Sequence, residues 1–323
     1  MRSRLLLPLL LACALAAPGI AASSPPRTAA PAMRLTILYD AFGGAPGLVP
    51  DWGFAALIEY GDLRILFDTG NDAAVFERNV RALGIDLQRL DFVVMSHRHG
   101  DHIAGLPVVL RRNPQVRVYA PRENFGVFGS SLPATFYRRD TSLPAEMRYF
   151  GGRPEEALRF GSAWPEARFV LVDTLTEVAP GVSLVSTVSR TPGTLELHEL
   201  SLALRTPSGT VLIVGCSHPG IETIAKAASE ASPRIALVVG GLHLVTTPDS
   251  AISRIGAALR DEWHVRQIAP GHCTGEPAFA ALRERFADDY LFAGLGTVLT
   301  RGSADSARWE RRSTPRETHR PVR

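Results

Sequence analysis

Residues 96–102, Ser-His-Arg-His-Gly-Asp-His, carry three of the nine histidines of a 323-residue chain. Imidazoles and a carboxylate crowded into one turn repel one another when charged, and they are costly to desolvate without a partner. The same groups are standard ligands of zinc, iron and manganese. A cation that all of them face removes the penalty. His97 and His99 are two apart, so in an extended segment they point the same way. Asp101 and His102 follow at the turn into a helix, displaced to one side. That spacing suits two cations, one on His97 and His99, the other on Asp101 and His102. Two-metal hydrolytic sites hold their ions about 3.5–4 Å apart.

The elements that must position these groups can be read from apolar runs and breakers. Strands are expected over 34–40, 54–61 and 63–68, the last two joined by a hairpin at Gly61-Asp62. A helix over 72–84 has Asn71 as its cap and Gly84 as its stop. A short strand follows over 91–96, then a helix over 102–114 whose start Gly105 and Pro107 interrupt. A hairpin around Ser208-Gly209 spans 200–215. Helices near 219–231, 248–260 and 276–287 alternate with strands over 234–241 and 265–270. The pattern predicts a mixed sheet or two packed sheets with helices outside. Four of these strands deliver a histidine just past their ends: His97, His218 (two residues beyond Cys216), His243 and His272. Ligand sites of open α/β sheets lie at such strand ends, so one polar cavity assembled from loops across the chain is expected.

His97-Arg98-His99-Gly100-Asp101-His102 resembles the H-x-H-x-D-H signature of the metallo-β-lactamase superfamily. The run "ILFDTG" (65–70) resembles the strand and turn that precede it there. Three further blocks, "GCSHPGIETI" (215–224), "VVGGLHL" (238–244) and "PGHCTG" (270–275), resemble the branch named for dihydropterin ribofuranosyl-aminobenzene phosphate synthase. The resemblance implies an α/β fold, an αββα sandwich over roughly 34–300, with a binuclear site on one edge. It implies His97, His99, Asp101, His102 and His272 as ligands. Where a bridging aspartate is usual, this chain has Cys216, with His218 close by; some relatives use a cysteine ligand there. His198 is a candidate for the superfamily's middle histidine. His243 is a possible ligand or support, and Asp68 is expected to brace the metal loops by hydrogen bonding. Ala120-Pro121 stands where the branch often has His-Pro, so a substrate contact is missing.

The implied cofactors are two divalent metal ions, zinc first, with iron or manganese as alternatives. The implied activity is hydrolysis of a small ester, lactone, amide or phosphodiester by metal-activated water, with Asp101 holding a metal and orienting the nucleophile. No G-x-S-x-G elbow offers a serine alternative. The rivals are a non-hydrolytic binding or sensing protein and an iron-dependent redox enzyme on the same fold.

Composition bounds the rest. The chain is 46% hydrophobic and 21% charged, which is globular. Its net charge of +3 owes much to residues 301–323, which carry seven arginines, lack apolar periodicity and are expected to be disordered. A small-molecule substrate is expected and a nucleic-acid partner is not. The oligomeric state is left open. Residues 1–22 read as a signal peptide, with Arg2 and Arg4 before an apolar run, followed by a linker over 23–33. Export to the periplasm or beyond is the expectation, with no membrane span left after cleavage. A lipid anchor on Cys13 ranks second. Only Cys216 and Cys273 then remain, too few for a disulfide scaffold. Both are expected to stay reduced, because the branch resemblance and a nearby cation favour thiols over a bridge. Segment 122–165 holds aromatics and arginines, among them Phe125, Phe128, Phe136, Arg138 and Trp164. It reads equally as a substrate lid or as an insertion packed on the sandwich.

Overall fold

The apolar runs fold into two sheets laid face to face. The structure is a computed structural model that describes residues 32–123, 128, 131–133, 141–142, 144–148, 157–159, 164–191, 196–301 and 308–313. The expected signal peptide, most of the linker, Cys13, Phe125, Phe136 and Arg138 lie outside the described residues. In chain order the elements are β1 (Met33–Tyr39), β2 (Ala55–Tyr60), β3 (Leu63–Phe67), α1 (Ala73–Ala82), β4 (Phe92–Val94), α2 (Gly100–Ile103), α3 (Leu106–Arg112) and β5 (Arg117–Pro121). A ribbon of β6 (Ser131–Pro133) and β7 (Ala157–Arg159) precedes β8 (Arg168–Val172), β9 (Thr176–Ala179), β10 (Val182–Ser189), β11 (Leu197–Thr206) and β12 (Gly209–Val214). Then come α4 (Ile221–Ala231), β13 (Ile235–Gly241), α5 (Asp249–Ala257), β14 (Gln267–Gly271), α6 (Glu276–Phe286), β15 (Thr297–Arg301) and β16 (Trp309–Ser313).

One sheet runs β16-β15-β1-β2-β3-β4-β5-β8 and the other β14-β13-β12-β11-β10-β9. Their inner faces share a core that includes Ile37, Ile58 and Phe67 from the first sheet and Leu202, Ile213 and Val239 from the second. Phe76 of α1 and Val109 of α3 cover the outer face of the first sheet. Ile224, Ile252 and Leu282, from α4, α5 and α6, cover that of the second. This is the αββα sandwich. β3, β4, β5 and β8 run parallel, as do β12, β13 and β14. The two sheets are tied beside the first histidine cluster, where Leu200 N in β11 donates to Ser96 O at 2.8 Å.

Three local expectations are corrected. Asp72, not Asn71, caps α1, its Oδ1 accepting from Ala74 N at 2.8 Å and Val75 N at 2.9 Å. The helix expected over 102–114 is two helices, α2 and α3. Gly105 sits between them, where a Cβ would lie 2.3 Å from Thr69 O. The third correction concerns the chain end. Residues 309–313 are not disordered: they pair antiparallel with β15 and bury Trp309 in the inter-sheet core. Gln267 clamps that residue's backbone, with Trp309 N donating to Oε1 at 2.7 Å and Nε2 donating to Trp309 O at 3.2 Å. Among the strand's residues only Trp309 belongs to the apolar core, so no periodicity announces it. Trp309→Ala is therefore expected to cost about 3–5 kcal/mol in urea unfolding, the usual loss for a large buried ring. A change under about 0.5 kcal/mol, as for a solvated surface position, would return this segment to the tail.

Among the described residues no helix is long and apolar enough to cross a membrane.

Candidate metal centre

Six of the nine histidines meet at the shared strand ends. The His97 ring lies 4.7 Å from that of His99, 4.2 Å from His102 and 4.8 Å from His218. His102 and His272 are 4.9 Å apart, and His218 and His243 4.3 Å. Their ligand atoms sort into overlapping groups: His97, His99 and His218; Asp101, His102 and His272; and, between these, His97, His102 and Cys216. His102 Nε2 is 3.1 Å from Cys216 Sγ and 3.2 Å from His272 Nε2. Asp101 Oδ2 is 3.4 Å from His272 Nε2 and 3.8 Å from His102 Nε2.

The surrounding hydrogen bonds decide which nitrogens are bare. Asp68 Oδ2 accepts from His102 Nδ1 at 2.7 Å and from Ser96 Oγ at 2.7 Å. Ser96 has then used its only proton, so the 2.8 Å contact to His97 Nδ1 is a bond donated by that nitrogen. Glu199 Oε2 accepts from His218 Nδ1 at 3.1 Å. Three imidazoles are thus set with Nδ1 protonated and the Nε2 lone pair facing inward, the arrangement that orients metal-ligating histidines. His97 Nε2 is buried and finds no hydrogen-bond partner among the described residues. A buried acceptor of this kind, converging with other nitrogens, a thiol and a carboxylate, fits a cation.

The backbone is held as firmly. Phe54 N donates to Asp101 O, and Thr69 N and Oγ1 both donate to His102 O. Glu199 accepts from the backbone N–H groups of Cys216, Ser217 and His218 at 2.7–3.0 Å. Asp40 accepts from His272 N at 3.0 Å. Ser217, His243 and His272 all take left-handed φ values of 64°, 51° and 47°. Such values are uncommon for non-glycine residues and cluster where function constrains the chain.

Comparison with known proteins agrees with this geometry. The family model described as a β-lactamase superfamily domain matches residues 63–176. A solved metal-dependent hydrolase of the β-lactamase superfamily is 29% identical, with a TM-score of 0.58, covering 81% of this chain and 97% of that one. These comparisons make the chain similar to the metallo-β-lactamase superfamily. The 7,8-dihydropterin-6-methyl-4-(β-D-ribofuranosyl)-aminobenzene-5′-phosphate synthase of Methanocaldococcus jannaschii is 27% identical over 257 residues. That match spans 73% of this chain and 84% of the synthase. The metallo-β-lactamase fold protein YhfI from Bacillus subtilis shares the fold at 16% identity and a TM-score of 0.53, over 84% of this chain and 99% of that one.

At this candidate centre the structure brings together His97, His99, Asp101, His102, His218, His272 and Cys216. The block after β12 supplies two of these side chains. His218 joins His97 and His99, and Cys216 lies towards His97 and His102. Asp68 supports the ligands through His102 and Ser96, as expected. His243 touches His218 but groups with the cysteines, Cys216 and Cys273, both buried and unbridged. His198 joins none of the ligand groups found among the described residues. It pairs with Val188 in the sheet, one residue away from the buried Glu199. Phe128 is buried against Phe169, and Trp164 packs on the same outer cluster, so these two serve packing rather than a lid. Sequence reasoning missed Glu199, Asp40 and Ser96. The available signal was a charged residue inside or ending an apolar strand, as in "LHELSLAL" and "LTILYD".

Electrostatics of the metal-free centre are set by burial. Burial holds His97 well below the ordinary histidine value, and the charges of His102 and His218 add to this. His99 falls to about 4, through burial first and His218 second. Burial would lower His102 too, but the Asp68 carboxylate beside it lifts it to about 9. Burial acts to raise Asp101, yet its bond with His272 and the charge on His102 hold it below the carboxylate range. A stability consequence follows for His99. Its unfolded value is about 6.5, so between about 4 and 6.5 the unfolded chain binds the extra proton. Its contribution is present above that window and is lost as pH falls through it. Asp40, raised to about 7 by burial, drifts in the opposite sense. Comparing metal-free wild type with His99→Gln removes that common term. Wild type is expected to lose stability relative to the variant as pH falls from about 6.5 to 4. Parallel urea midpoints across that range would contradict it.

Proposed function

We propose that the protein is a metal-dependent hydrolase acting on a small ester, lactone, amide or phosphodiester through two divalent ions. The observation that carries this is how the inward-facing imidazoles converge: His97 and His218 with His99, His102 with Asp101 and His272, and Cys216 between His97 and His102. His97, His99 and His218 would hold one ion, and Asp101, His102 and His272 the other. Cys216 would face both in place of a carboxylate. Bound there, the ions supply Lewis acidity and bring the pKa of water down to about 7.

The chain's own groups do the rest. Asp101 is the carboxylate at the open side, with its side chain 20% exposed, so it can orient a reacting water and take its proton. Asp68 and Glu199 keep His102 and His218 in their ligating tautomers, because each accepts the Nδ1 proton. The Trp52 ring lies tilted 5.1 Å from that of His272 and is 43% exposed, which gives the mouth an apolar wall for a substrate's non-reacting part. Support for hydrolysis comes from the 29% identical metal-dependent hydrolase.

The test is to load metal-free protein separately with zinc, manganese and iron(II), then assay an ester, lactone, amide and phosphodiester panel. Hydrolysis that appears with metal and disappears on chelation is the expected result. Turnover only with iron and with dioxygen consumption would install the redox reading. Metal uptake without turnover on any substrate would install the sensing one. We also propose export, on the basic and apolar pattern of residues 2–17. Intact-mass analysis of the chain from its native host is expected to show cleavage near residue 22; an intact Met1 or an acylated Cys13 would reject it.

A further inference from the structure

We propose that Cys216, His243 and Cys273 form a third cation site, one for a thiophilic ion such as zinc. The three residues follow the C-terminal ends of β12, β13 and β14, which are adjacent parallel strands in one sheet. Both sulfurs and a His243 nitrogen lie within 4.8 Å of one another. A tetrahedral zinc site with bonds of about 2.3 Å to sulfur and 2.0–2.1 Å to nitrogen separates its ligand atoms by roughly 3.3–3.8 Å. The cluster is therefore within small side-chain rotations of binding geometry.

The local backbone is shaped to make this cluster. A Cβ on Gly241 would lie 2.7 Å from Cys273 Sγ and 2.4 Å from Gly215 O. Only glycine lets the thiol and the neighbouring strand approach that closely. His243 takes a left-handed φ of 51°, where a histidine is uncommon. That turn places its ring 4.3 Å from His218 and its nitrogen beside the two thiols. The sulfurs are buried while His243 is exposed, so the histidine side gives an ion its entry and leaves room for a fourth ligand from solvent.

The donor set distinguishes this site from its neighbours. Two sulfurs and one imidazole are softer than the imidazole and carboxylate groups beside them, and softness directs a thiophilic ion here. Cys216 is shared, because it also faces His97 and His102. The ion would thus bind at the wall of the hydrolytic centre. A purely structural role for the pair would need only that Cys273 and His243 pack against Cys216, and it predicts no extra ion.

The experiment counts ions and thiolate bonds, so it does not depend on whether the protein is a hydrolase. Metal-free full-length protein is dialysed to saturation against zinc, and in parallel titrated with cobalt(II) while sulfur-to-metal charge-transfer absorption is recorded. Wild type is expected to bind one zinc ion more per chain than Cys273→Ser and His243→Ala, whatever the neighbouring centre holds. In Cys273→Ser the charge-transfer intensity should fall to about half, because one of two thiolate ligands is gone. His243 is exposed, so its variant keeps the fold and decides the matter if Cys273→Ser does not fold. Equal zinc counts in wild type and His243→Ala, with unchanged charge-transfer intensity, would overturn the proposal.

Discussion

Asp101→Asn is expected to lower turnover by about 10²–10⁴-fold, the usual contribution of a positioned acid–base group, while the protein stays folded. Among the described residues Asp101 is the carboxylate grouped with both His102 and His272, and it is partly exposed. The amide keeps the shape but has no negative charge to hold an ion and no basicity to take a proton. Stability should change little, because the inter-sheet core does not include this side chain. The fold is further protected because Asp101 O, which accepts from Phe54 N, is a backbone atom that the substitution leaves alone. The measurements are kcat/KM on the best substrate of the panel, metal content and the urea midpoint. Near wild-type turnover with full metal content would remove Asp101 from the chemistry and move the search to another group.

The candidate ligands were legible because they are concentrated. Four of them fall within six residues, and His218 and His272 sit at the ends of apolar strands that sequence periodicity reveals. Parallel strands then bring those ends together whatever the loop details. The supporting acids were not legible in the same way. Glu199 stabilises a loop 17–19 residues further on, and Asp40 reaches a residue 232 positions away. Such pairings depend on strand order, which no local pattern encodes. In "LHEL" the resemblance offered His198 as a candidate and gave no role to Glu199. Alternation along β11 and its pairing decide otherwise, with Glu199 fully buried and His198 only partly so. β16 was missed for a related reason. Its pairing with β15 is satisfied by backbone groups, and a single tryptophan carries its core contact.

Glu199→Ala should be the most damaging substitution outside the ligands. The carboxylate is fully buried and accepts from three consecutive backbone N–H groups and from His218 Nδ1. Burial alone would raise its pKa, but these donors hold it below the ordinary glutamate value, so it serves as an anion. Truncation to alanine leaves four buried donors without an acceptor. Each such group costs about 1–3 kcal/mol when the loop cannot relax. Some relaxation is expected, because Ser217 is held at a left-handed φ of 64° and would be released. A net loss of more than about 3 kcal/mol in urea unfolding is the expected result. Metal affinity should fall as well, by about 10–100-fold, because His218 loses the partner that sets its tautomer and ring angle. His198→Ala provides the contrast, one residue away on the other side of the strand. Its effect should stay within about 1 kcal/mol with metal content unchanged, as for a partly exposed position outside the network. If the two variants behaved alike, or if His198→Ala were the one to lose metal, the tautomer-setting role of Glu199 would fail and His198 would regain its place among the ligands.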